Sequence, residues 1–181
     1  MIKLLPTKLI LLLLFLHCNA FAQIKKTGPI IKDFGKVWAI ENPDFKVDAS
    51  KEYKAVFDIM NSPESHESVN ATIETAARFF NMHAQSGVPA QNLKVALVVH
   101  NKASKDVITN EAYQKKYGVD NPNQELIKAL IDAGGQVIFC GQSSVSRGFP
   151  REDLIQGVQL SLSAMTALIQ FQDEDYRLIK F

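Results

Sequence analysis

The sequence predicts a three-layer α/β sandwich, with a mostly parallel five-stranded sheet and helices on both faces. Two observations carry that expectation. Continuous apolar runs such as LKVALVVH (93–100) and QVIFC (136–140) have the pattern of strands buried on both faces. Segments with a helical apolar stripe fall between them, and such alternation builds βαβ units in which each helix is a crossover between parallel neighbours.

The chain opens with a segment that stands outside this alternation. MIKLLPTK is basic, LILLLLFL is apolar, and Ala20-Phe21-Ala22 is a small-x-small cleavage signal. That is the layout of a secretory signal peptide over residues 1–22, cleaved after Ala22. Its apolar run is too short for a bilayer, which takes about 20 residues. His17 before Cys18 is unlike the small residue that lipid attachment at a lipobox takes. Residues 23–50 carry scattered Gly, Pro, Lys and Asp and read as an extended N-terminal arm lying on the body through Phe34 and Trp38.

The body, residues 51–181, begins with the β-rich YKAVFDIM (53–60), ended by Asn61-Ser62-Pro63. Ser65 then starts an expected helix, because Val69, Ile73, Ala76 and Phe80 form one 3.6-period stripe. Gly87 and Pro89 stop it. After 93–100 comes the most polar stretch, with a short helix expected over 111–117 and closed by Gly118. Asn123 reads as the N-cap of QELIKALIDAG, whose apolar face is Leu126, Ile127, Leu130 and Ile131. Residues 136–140 form the third strand and 141–150 read as a loop. A helical turn at 152–156 precedes a fourth strand over 157–162. Ser163 caps a helix with Met165, Leu168 and Ile169 on one side, and YRLIKF (176–181) is the fifth strand.

Charge narrows the function classes. Residues 1–22 hold two of the 20 basic side chains and none of the 19 acidic ones, so the remainder is near neutral. That balance argues against a nucleic-acid partner, since no surplus cation is present to neutralise phosphates. No later run is long and apolar enough to span a membrane. The expectation is a soluble exported protein, periplasmic or secreted. With Cys18 removed, Cys140 is the one remaining cysteine, which excludes an intramolecular disulfide, a CxxC pair and a cysteine zinc cluster. Such a thiol is buried, paired between chains, or used.

Ligands of open parallel sheets bind beyond the carboxyl ends of the strands. Those ends collect Asn61, His100 and the Cys140-Gly141-Gln142-Ser143 run, with Ser163 after the fourth strand and Arg147 further along. Cys140 fits a nucleophile whose thiolate is favoured by His100, Arg147 and the amides of 141–143. It fits equally the last small apolar residue of a buried strand. His100 fits an acid–base partner or a hydrogen-bonded histidine at the sheet edge. His66 and His83 make no metal-ligand spacing, and no metal or cofactor is expected. The glycines at 141 and 148 lack the Gly-Lys-Ser/Thr ending of a phosphate loop, and Ser143 and Ser144 lack a GxSxG elbow.

KEYKAVFDI, KVALVVH, NPNQELIKAL, VIFCGQSSVSRG, DLIQGVQLSLSAMTALIQFQ and the closing YRLIKF together resemble the DsrE/DsrF-like family over residues 51–181. The resemblance implies an α/β sandwich assembled as a homotrimer or homohexamer. It also implies sulfur relay, in which Cys140 matches a persulfide-carrying cysteine served by a donor or acceptor protein or a small thiol. Export and the CGQS run distinguish this chain from cytoplasmic relay members.

Two functions follow. One is an exported sulfur carrier or sulfurtransferase with Cys140 and His100 at its centre, the amides of Gly141 to Ser143 holding the charged form, and 101–122 acting as a lid. The other is a non-catalytic homo-oligomeric module that binds a small polar ligand with Asn61, Gly141, Gln142, Ser143, Arg147 and Ser163. A disulfide between chains is a third use of the thiol.

Overall fold

The computed structural model describes residues 24–180. The expected leader, its cleavage point and the last residue lie outside that range. Five strands make one sheet in the order β4-β3-β2-β1-β5: β1 (Tyr53–Ile59), β2 (Leu93–Val99), β3 (Gln136–Cys140), β4 (Gln159–Ser161) and β5 (Arg177–Ile179). All four pairings are parallel.

Strand order explains the layers. From β1 to β4 the chain steps in one direction, then returns past β1 to place β5 on the opposite edge. Right-handed crossovers put the helices of the first march on one face and the returning helix on the other. The first face is covered by α1 (Ala71–Gln85) and α3 (Gln124–Asp132), which close the larger core with Phe57, Ile59, Leu97, Val99 and Phe139. The second carries, among the described residues, only α5 (Ala164–Asp173), whose Ala164, Ala167 and Phe171 pack with Val56, Ala96, Val98, Ile138 and Cys140. Successive strand residues thus alternate between two cores, and the central runs 95–99 and 137–140 are apolar for that reason.

Several elements depart from expectation. The first helix starts at Ala71, not Ser65, because Asn70 is its N-cap, accepting from the N–H of Thr72 at 3.0 Å. Ser65 instead accepts from the N–H of Glu67 in a local turn at 3.2 Å. Asn123 makes no side-chain cap for α3, since its amide is spent on tertiary bonds described below. Residues 141–147, expected as loop, form a helix, α4 (Gly141–Arg147). Only Ser144 of α4 is buried, so no apolar stripe announced it. The polar segment after β2 is no lid. Its 3₁₀ helix, Asn101–Val107, buries Ala103 through Val107 and leads to α2 (Asn110–Tyr117), whose Tyr113 is fully buried.

On α5 two of the three expected apolar residues face outward, Met165 at 73% and Ile169 at 59% exposed, while Leu168 packs partly buried against the second core with Phe171. Small Ala164 and Ala167 let the helix approach the sheet closely, which leaves Met165 and Ile169 on the outer side.

The arm is held by α1. Asn81, wholly buried, donates from Nδ2 to the carbonyls of Ile31, Phe34 and Gly35, and its Oδ1 accepts from the N–H of Ile31. Gly35 (φ +70°) lies so close to α1 that a Cβ there would stand 2.5 Å from the Ala77 carbonyl carbon. Ile31 is the buried contact, Phe34 is half-buried against the core and Trp38 stays exposed.

Candidate functional site

β3 delivers Cys140 to the smaller core, and the chain enters α4 with Cys140 in the N-cap position. On its other side the residue pairs with Ser161 of β4, after which Ser163 starts α5. The cysteine is therefore wedged between two helix beginnings. Gly141 permits this wedge, since a Cβ there would come 2.5 Å from the Ser161 carbonyl oxygen.

Cys140 is only 5% exposed. Burial pushes its thiol up, as apolar surroundings disfavour a charge. The backbone N–H and hydroxyl of Ser143, with the backbone N–H groups of Ala164 and Gln142, outweigh burial and hold the thiol below its ordinary value. None of these groups is completed as a side-chain cap bond to the sulfur. They act as N–H dipoles converging on it, which favours an anion there.

His100 extends β2 by one residue. The register pairs Val99 with Phe139, so His100 comes level with Cys140 on the neighbouring strand and the same side of the sheet. Its Nε2 lies 2.7 Å from Asp58 Oδ1, and Lys180 Nζ lies 3.0 Å from Oδ2 of the same carboxylate. Burial pushes the Asp58 carboxyl up, but hydrogen bonds and charge from His100 and Lys180 outweigh it and keep the group below the usual carboxylate range. An ionised carboxylate only accepts, so Nε2 carries the hydrogen and Nδ1 is left for another partner.

The other expected site residues divide. Gly141, Gln142 and Ser143 lie in the first turn of α4, beside the sulfur. Ser143 Oγ also accepts from the N–H of Asn101 at 3.0 Å, which ties α4 to the end of β2. Ser163 is buried and caps α5 through the N–H of Thr166 at 3.1 Å, so it sets the helix that offers the Ala164 N–H. Asn61 and Arg147 stand elsewhere. Asn61 is exposed, and its carbonyl accepts from Asn70 Nδ2 at 2.8 Å. Arg147 ends α4, about 9 Å along the axis from Gly141 at 1.5 Å per residue, and bonds Asn101 Oδ1. It supplies no charge to the thiol, because the helix that carries it leads away from the sulfur.

A second polar centre, unread in the sequence, is built around Asp106. Its carboxylate is fully buried and accepts from Ser62 Oγ (2.9 Å), Asn123 Nδ2 (3.2 Å) and Asn70 Nδ2 (2.7 Å), with Lys105 Nζ at 3.5 Å. Asn123 Oδ1 in turn accepts from the N–H of Asn70, and Asn121 Nδ2 donates to the carbonyls of Asp106 and Ile108. Burial pushes the Asp106 carboxyl up, and the surrounding donors offset that only in part. The available signal was Asn70, Asn121 and Asn123 at helix starts and loops; nothing local marked them as partners of one carboxylate. Among the described residues no group of three or more His, Cys, Asp or Glu is placed to hold a metal ion. No helix there is long and apolar enough to cross a membrane.

The model of the DsrE/DsrF-like family matches residues 54–181. No curated protein matches the chain. Among solved structures, the fold is similar to that of the protein of unknown function MTH1491 from Methanobacterium thermoautotrophicum. The TM-score is 0.56 and the identity 18%, over 72% of this chain and 100% of that one. It is also similar to the ychN protein from E. coli, with a TM-score of 0.53 and 20% identity over 71% of this chain and 99% of that one. At these identities the likeness is one of fold.

Proposed function

The chain belongs to the DsrE/DsrF-like family, which is associated with sulfur relay, and from that premise we propose that it is an exported sulfur carrier of a CGQS type. The observation that supports this reading is the convergence of N–H groups from two helix beginnings on the Cys140 sulfur. Thiolate is the reactive form of cysteine, and its terminal persulfide is a second anion of the same kind.

The reaction is an exchange without net oxidation. The Cys140 thiolate attacks the outer sulfur of a donor persulfide, a new S–S bond forms, and the donor's S–S bond breaks to release its thiolate. An acceptor thiolate then attacks the terminal sulfur of Cys140–S–S⁻ and restores Cys140. The amides of Gln142, Ser143 and Ala164 hold the charge at each stage. His100, oriented by Asp58, takes up the proton that the thiol gives away.

Assembly belongs to the same proposal. Val145, Leu162, Met165 and Ile169 are large, apolar and exposed on α4, α5 and the turn between β4 and α5. A homotrimer or homohexamer that covers this face would place the thiol near a subunit boundary, where a donor or acceptor protein or a small thiol would reach it.

The test is intact mass spectrometry of the exported protein, with alkylation of Cys140 followed against pH. Carriage predicts a mass gain of one sulfur that a reductant removes and that Cys140→Ser lacks, together with fast native alkylation near neutral pH. Slow native alkylation that becomes rapid only on unfolding would make Cys140 a packing residue. The chain would then be a ligand-binding module.

A further inference from the structure

A cleft of about 340 Å³ opens between the 3₁₀ helix after β2, the turn after β1 and the far end of α4. It is lined by Lys102, Lys105, Arg147, Tyr117 and Phe149, with Glu64 as the one carboxylate of its wall. Among the described residues, Lys102, Arg147 and Glu64 make no ion pair. A fourth cation, Lys116, sits behind the wall, its Nζ 3.0 Å from the Arg147 carbonyl and 4.0 Å from the centre of the Phe149 ring.

Lys105 makes this more than a surface patch. It is 9% exposed, so its side chain is held within the fold and is not free in solvent. Its partners are the Tyr113 hydroxyl at 3.3 Å and Asp106 Oδ1 at 3.5 Å. That oxygen is already shared by Ser62 and Asn123, and Asn70 holds the other. That carboxylate is spread over four donors, so Lys105 shares its counter-charge, and its ammonium keeps a hydrogen for a further acceptor. Lys105 therefore lines a cleft whose other two cations, Lys102 and Arg147, make no ion pair among the described residues. Ser62 spends its hydroxyl hydrogen on Asp106, so the cationic donors left to a ligand are Lys102, Lys105 and Arg147, beside the Tyr117 hydroxyl.

We propose that this cleft is a binding site for a tetrahedral oxyanion of the phosphate or sulfate class, held by Lys105 at its base and by Lys102 and Arg147 at its mouth. It lies beyond the carboxyl ends of β1 and β2, where parallel sheets place ligands, and at the opposite end of α4 from Cys140. It does not rest on the sulfur-carrier reading.

The experiment is calorimetric titration of the whole protein with inorganic phosphate and with sulfate at fixed ionic strength, chloride serving as the control anion. A saturable site for phosphate or sulfate, absent with chloride, is expected. The double variant Lys102→Ala/Arg147→Ala, which alters only exposed side chains, should weaken it at least about tenfold, roughly 1.4 kcal/mol. Lys105→Met should abolish it, and Cys140→Ser should leave it unchanged. No saturable site with either anion, or affinity unchanged in the double variant, overturns the proposal. Because Cys140→Ser separates the two sites, failure here leaves the thiol chemistry standing.

Discussion

Two polar centres lie at the same end of the sheet and are built on opposite principles. Around Asp106 the side-chain donors of three asparagines and a serine are matched to acceptors inside the protein, with Lys105 at the edge of the network. Around Cys140 the N–H groups of two helix starts converge on a sulfur, a weak acceptor when neutral. A saturated network fixes the backbone, because the loops after β1 and β2 and the starts of α1 and α3 all meet there. An under-used set of donors is poised for an anion that forms only during chemistry. Hydrogen-bond saturation thus separates architecture from reactivity better than residue type, since both centres hold serine beside charged groups.

The largest effect expected from this contrast is at Asp106. Asp106→Ala strands the buried donors of Asn70, Asn123 and Lys105, and should cost about 3 kcal/mol or more, read as a fall in the urea midpoint. A loss below about 1 kcal/mol would mean that the network is not what holds the loops, and the contrast would break.

Gly141→Ala should cost less, about 1–3 kcal/mol, as an overpacked contact against the Ser161 carbonyl. It should also push the wedge open and move the alkylation profile of Cys140 to higher pH, since the converging N–H groups retreat. Unchanged alkylation in a destabilised variant would separate the wedge from the reactivity of the thiol.

The smallest effect concerns acid. The folded Asp58 carboxyl lies below its unfolded value of about 3.9, so its ionised form adds stability that is complete above that pH. The contribution is lost as pH falls through the lower, folded value. Asp58→Asn should therefore lose about 1–2 kcal/mol at pH 7, a charge-assisted bond, and should show a flatter stability profile below pH 4 than the parent. Parallel acid profiles of variant and parent would remove Asp58 from the link between β1, β2 and β5.

Legibility differed by element. The strands at 93–100 and 136–140 were readable because their runs are apolar on both faces, and 53–60 because it is rich in β-formers, patterns that need no knowledge of neighbours. α4 was not, because a seven-residue helix with one buried side chain carries no periodicity. The apolar side of α5 was read from residue size, and small Ala164 and Ala167 took the sheet instead. Of the site, Cys140, His100 and the 141–143 amides were legible as strand ends. Asn61 and Arg147 share that rim in sequence but not in space, and Asp58 and Lys180 gave no sign of meeting His100.

By itself the sequence determined the alternation of strand and helix, the parallel sheet and the single thiol of residues 23–181. Each follows from local composition and period, which the chain carries wherever it goes. Strand order was decided only in the tertiary structure. It set α5 alone on the second face, brought two helix beginnings to one sulfur and gathered Asp106 with its asparagines. The side-chain bonds around Asp106 alone join residues 15 to 44 positions apart, and a linear pattern holds no record of the direction from which a distant hydrogen-bond donor arrives.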